Sequence, residues 1–213
     1  MTNLLNAILV IILMLNLFTL GTTRIQSIIR IVAFQGILLG ILPLITHDGL
    51  SLMAVAASII AIVLKGFAIP VMMSHALRDV QIKREVEPLI GILPSIILGA
   101  LATVFALLFA SQMPLANENL SKLIVPSAIA TILVGFILLT TRFKALTQVI
   151  GYLILENGIF IFGVLLMEAM PMVIEMGVLL DLFVGIFVSC IIISKINQSF
   201  SSMDTRILSS LKE

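Results

Sequence analysis

The sequence predicts an all-α, polytopic membrane bundle of about seven transmembrane helices, and three observations carry that prediction. Hydrophobic residues make up 61% of the 213-residue chain and charged residues only 11%, against about 25% charged in ordinary soluble domains. Mean hydropathy is +1.27. The apolar residues gather into runs that match the roughly 20 residues a helix needs to cross the hydrocarbon core. A net charge of +1 argues against a nucleic-acid partner, which requires a basic face. The single cysteine, Cys190, allows no intramolecular disulfide and reads as a small apolar packing residue.

The runs fall at 4–20, 26–45, 50–73, 89–111, 122–140, 145–167 and 172–196. The first lacks the basic leader and the A-x-A pattern of a signal peptide, so it reads as a retained span. Pro43, Pro70, Pro94, Gly151 and Gly185 lie inside the runs. Membrane helices tolerate such residues because neighbouring groups satisfy the freed backbone.

Basic residues set the orientation. Arg24 and Arg30 follow the first span; Arg78, Lys83 and Arg84 follow the third; Arg142 and Lys144 follow the fifth; Lys195, Arg206 and Lys212 follow the last. Of the twelve basic residues only Lys65 and Lys122 fall elsewhere. The positive-inside rule then puts the N-terminus outside and the C-terminus in the cytoplasm. The chain has no Trp, and its one Tyr, Tyr152, lies within a span. With no aromatic belt to hold them, the helices take their tilt from packing against neighbours, including those of other subunits.

An internal repeat is legible. Thr22-Thr23-Arg24 recurs as Thr140-Thr141-Arg142, each copy closing one span and preceding another with mid-span polar residues beside glycine: Gln35-Gly36 and Glu156-Asn157-Gly158. The next span in each half carries one deep charge, Lys65 or Asp181. This divides the chain into a three-helix repeat at 1–80, a linker with the fourth span at 81–120, a second three-helix region at 121–197 and a cytoplasmic tail at 198–213. The two halves would be parallel repeats about an axis along the membrane normal.

Lys65, Glu156 and Asp181 are the residues that call for a function. A charge at the centre of a spanning helix costs roughly 2.5–3.5 kcal/mol on insertion scales, and intramembrane ionisable residues mark ion or proton pathways by default. Ala54, Ala57, Ala61 and Ala68 recur with Lys65 at spacings of three or four, and Gly177 and Gly185 flank Asp181 at four. Small residues allow close helix approach, so these charges are expected to face protein or an aqueous cavity. Gln35, Asn157 and Glu175 complete the candidate set, the last at a pathway mouth. The alternative is a static ion pair of Lys65 with Glu156 or Asp181 that only specifies packing; a self-sufficient transporter fits less well, since no paired broken-helix substrate site is visible. His47 and His75 sit near opposite membrane faces and cannot share a metal. No Cys cluster, P-loop or dinucleotide fingerprint is present. Met is abundant, at eleven residues, and reads as packing filler.

The last three spans resemble the NuoK/MrpC family of small three-helix subunits, shared by respiratory complex I and multisubunit cation antiporters. That family carries a glycine and a glutamate followed by Asn and a small residue. Gly151 and Asn157-Gly158 fit this frame; Leu153 occupies the glutamate position, and Glu156 stands one turn further on. On the last span Asp181 and Gly185 match a family glutamate and glycine, with Asp for Glu. The whole chain resembles the component E (HyfE-like) membrane subunit of formate hydrogenlyase and related hydrogenases. The resemblance implies a non-redox subunit without a cofactor of its own, in the cytoplasmic (inner) membrane of a prokaryote. It further implies antiporter-like and hydrogenase-module partners and a buried polar track for H⁺ or Na⁺.

The orientation is open to direct test. Reporter fusions after Arg206 should show cytoplasmic activity and fusions near Asp48 external activity; the reverse at both sites would overturn the assignment.

Overall fold

Among the described residues every expected apolar run is helical. The computed structural model describes residues 2–46, 52–79, 89–113, 122–142 and 145–166. The helices are α1 (Thr2–Gly21), α2 (Ile25–Thr46), α3 (Leu52–Ala61), α4 (Ile69–Asp79), α5 (Ile92–Ser111), α6 (Ile124–Thr141) and α7 (Ala145–Leu166). A π-helical segment, Ile62–Ala68, joins α3 to α4 within one span. Among the described residues six spans result that are long and apolar enough to cross a membrane. The expected seventh span, with Asp181 and Glu175, lies outside the described residues.

Local chemistry accounts for the helix starts and for the π segment. Pro94 and Pro126 occupy the third position of α5 and α6, where a backbone N–H has no intrahelical acceptor and its loss is harmless. Pro70 sits deeper in its span. In a regular α-helix its ring would clash with the carbonyl of Gly66 and leave that carbonyl without its donor. The segment just before it is widened instead, and the Ile69 N–H bonds the Leu64 carbonyl five residues back. Such π-turns are uncommon and frequent at functional sites.

The bundle is organised around α2 and α6. Helix α2 packs against α1, α7 and the whole α3–α4 span, while α6 packs against α1, α5 and α7. Close approach requires glycine at two of these contacts. A Cβ on Gly135 of α6 would stand 2.5 Å from the Leu155 nitrogen, and one on Gly36 of α2 would stand 2.7 Å from the Cβ of Lys65. Helix α5 is the most peripheral, with Leu93, Leu101, Phe105 and Leu108 all exposed on its outer face.

One end of the bundle is tied together by backbone groups. The Arg142 guanidinium donates to the Leu20 carbonyl at 3.2 Å, and the Leu89 N–H donates to the Thr141 carbonyl at 2.9 Å. The α1–α2 corner, the start of α5 and the α6–α7 corner therefore share one end, as the alternation of spans requires. Arg24 and Arg142 are both at that end, but they are not alike. Arg24 is exposed, whereas Arg142 is 2% exposed. The sequence reading treats Arg142 as an ordinary loop charge; the structure buries it where the last carbonyls of α1 lack intrahelical donors and carry partial negative charge.

Arg142→Gln should therefore destabilise the purified chain by about 1.5–3 kcal/mol, the range for a hydrogen bond to a charged group. Arg24→Gln at the exposed corner should stay within about 0.5 kcal/mol. Thermal unfolding in detergent would compare the two, and equal effects would contradict the assigned role of Arg142.

Candidate functional site: a polar layer at mid-membrane depth

The spans place Lys65 opposite Glu156. The Lys65 Nζ lies 2.9 Å from Glu156 Oε1, with the side chains 7% and 3% exposed. At this distance the two opposite charges form a salt bridge. The Phe160 ring, one turn beyond Glu156 on α7, lies with its centroid 5.1 Å from the same ammonium. A desolvated cation gains about 2 kcal/mol from such a ring. Asn157 and Leu153 also face this region. With Lys65, Ile69, Pro70 and Met73 they line a cavity of about 10 Å³, on the scale of a single water.

Of the small residues expected on one face with Lys65, Ala61 is buried with it, and the Ala54 and Ala57 side chains lie outside the described residues. The buried face of the span runs through Ser58, Ala61, Lys65, Gly66, Ile69 and Met73, while Ala68 is only half-buried. Lys65 and Gly66, both within the π segment, are buried.

A second polar cluster lies beside the ion pair. Gln35, next to the Gly36 that contacts Lys65, donates through Nε2 to Asn16 Oδ1 at 2.8 Å. Asn16 Nδ2 donates to Thr131 Oγ1 at 2.8 Å, and Thr131 Oγ1 donates to the Ser127 carbonyl at 2.7 Å. Asn16, Gln35 and Thr131 are all fully buried. Sequence reasoning names Gln35 and misses Asn16 and Thr131. The signal for Asn16 is a lone carboxamide inside an otherwise apolar span; Thr131 offers none, because a hydroxyl bonded back to its own helix is commonplace in such helices.

Together these residues form a layer, with at least one polar side chain from each of five spans. Asn16 comes from α1, Gln35 from α2, Lys65 from the π segment, Thr131 from α6, and Glu156 and Asn157 from α7. Apolar clusters close the layer on both sides. Toward the Arg142 end lie Leu20, Ile28, Val32, Ile69, Val134 and Ile154, with their neighbours. Toward the other end lie Leu9, Ile12, Leu39, Ala128, Phe160 and Ile161. Polar groups are thus held at mid-depth in a setting where each must find a protein partner. Of the sequence-derived candidates, Lys65, Glu156, Asn157 and Gln35 come together here; Asp181 and Glu175 lie outside the described residues.

The chain is similar to an uncharacterized protein of Mycobacterium tuberculosis, Rv0085, with 29% identity over 194 residues, 88% of this chain and 86% of that protein. It is also similar to Hydrogenase-4 component E of Escherichia coli K12 and of Shigella flexneri, each 24% identical over 152 residues, 71% of this chain and 70% of the relative. No family profile and no solved structure matches the chain.

The ion pair predicts a double-mutant signature. Lys65→Met alone removes the ammonium from beside the buried Glu156 carboxylate and should destabilise the chain by about 3–5 kcal/mol, whereas replacing both partners, Lys65→Met with Glu156→Leu, should recover most of the loss. Chemical unfolding of the purified chain measures both. Additive losses in the double variant would show that the two charges do not depend on each other.

Proposed function

We propose that this chain is a non-redox membrane subunit of an energy-converting hydrogenase or complex I-related assembly, and that its polar layer is part of a track for protons or sodium ions. The observation that carries the reading is the Lys65–Glu156 pair, held at mid-depth in an apolar bundle and flanked by the Gln35–Asn16–Thr131 cluster. Similarity to Hydrogenase-4 component E over 71% of the chain supports the kind of assembly. On this reading the chain sits in the cytoplasmic membrane of a prokaryote with its N-terminus outside. Antiporter-like and hydrogenase-module subunits are its partners, and Asp181 and Glu175 extend the track.

The chemistry follows from the arrangement. A buried carboxylate facing one ammonium can accept a proton when that ammonium turns away, and release it when the pair re-forms. The apolar clusters above and below oppose direct passage across the bundle. The layer therefore serves transfer in the membrane plane, toward polar groups of neighbouring subunits, rather than a pore through this chain.

A second reading, a structural adaptor whose charges are locked in place, is favoured by the direct 2.9 Å contact. A neutral pair separates the two. Lys65→Gln with Glu156→Gln leaves no stranded charge, so the assembly should form in normal yield. In the track reading, ion translocation by that assembly in liposomes falls roughly 100-fold, the lower end for loss of a positioned proton-transfer group. Normal yield with undiminished translocation would establish the adaptor.

A further inference from the structure

We propose that the cleft between α2 and α4 binds an anionic phospholipid, with its headgroup phosphate on Arg30, Ser74 and His75 and an acyl chain along Phe67 and Val71. The cleft has a volume of about 280 Å³, and its lining includes these five residues together with Gly66 and Pro70. It is separate from the small cavity beside Lys65, although Ile29 and Pro70 border both.

The depth of the polar residues fits a headgroup. At 1.5 Å rise per residue, Arg30 lies about 7.5 Å inside the start of α2 and His75 about 6 Å inside the end of α4. Both belong to the end of the bundle where Arg24 and Arg142 lie. Both side chains are exposed, and among the described residues neither makes a hydrogen bond or an ion pair. A guanidinium, a ring N–H and a hydroxyl directed at one cleft form a donor set for phosphate oxygens. Basic pockets between membrane helices hold lipid headgroups in this manner.

The deeper half of the cleft fits a chain and not water. Phe67 is 59% exposed and Val71 65%, so its outer edge is apolar and opens sideways. A headgroup with the first part of an acyl chain matches the change from polar to apolar lining.

The absence of Trp from the chain gives a clean test. Phe67→Trp introduces a single reporter in the full chain, reconstituted in phosphatidylcholine vesicles that contain brominated phosphatidylglycerol or brominated phosphatidylcholine as quencher. Phosphatidylglycerol should associate at least about five-fold more strongly, since one basic side chain near the surface contributes about 1 kcal/mol. Adding Arg30→Gln and His75→Gln should bring that ratio close to one. A Leu101→Trp reporter on the outer face of α5 should show no preference in either background, which also checks that the variants remain folded. Excess inorganic phosphate should not relieve the quenching. An equal response to both lipids at Phe67, a preference that survives the double change, or displacement by free phosphate would each overturn the proposal.

Discussion

The charge on Lys65 has to be met inside the bundle, and Glu156 meets it. Much of the surrounding packing follows from that need. Lys65 and Glu156 belong to spans that both lie against α2, so α2 must be narrow where they converge. Gly36 supplies the narrow point, with the Lys65 backbone packed directly on it. On the other side Pro70 makes a regular helix unfavourable, and Lys65 and Gly66, both within the π segment before it, are buried. Glycine, proline and ion pair therefore act as one device. Without the close approach at Gly36 the ammonium would not reach the carboxylate, and each charge would bear its own insertion penalty.

The same logic extends to the uncharged members of the layer. Asn16 and Gln35 are large carboxamides with no access to solvent, and each would be costly without a partner. They partner each other and Thr131, which ties α1, α2 and α6 at the depth where Lys65 and Glu156 tie the π segment to α7. Apolar clusters on either side supply the remaining contacts. A bundle with polar links only at mid-depth keeps those links dry, which strengthens each of them.

Much of this was legible in the residues alone. Long apolar runs leave a chain in lipid few choices, because a helix satisfies its own backbone where water cannot. Lys65, Glu156, Gln35 and Asn157 stood out as polar residues inside such runs, and all four lie in the layer. Leu153, at the position where the NuoK/MrpC pattern has a glutamate, lines the cavity beside Lys65 with Asn157. The displacement of the carboxylate by one turn to Glu156 therefore keeps it on the face that meets the lysine. Asn16 and Arg142 were less legible. Asn16 resembles any isolated polar residue in a span, and Arg142 resembles any basic residue after one. Their roles depend on what lies across from them, 115 and 122 residues away in the chain.

By itself the sequence determined the helical class, the spans, the side on which basic residues gather and the presence of charges in the hydrocarbon. These follow from hydropathy and from the energetics of single side chains in lipid, which need no knowledge of neighbours. Tertiary structure decided that Lys65 faces Glu156, that a π turn falls at Lys65, and that Asn16 and Thr131 join the layer. It also decided that Arg142 is buried against α1 while Arg24 is exposed. Each of these depends on which helix faces show themselves to which, and that is set by close contacts such as Gly36 on Lys65 and Gly135 on Leu155, between residues that the order of the chain does not bring together.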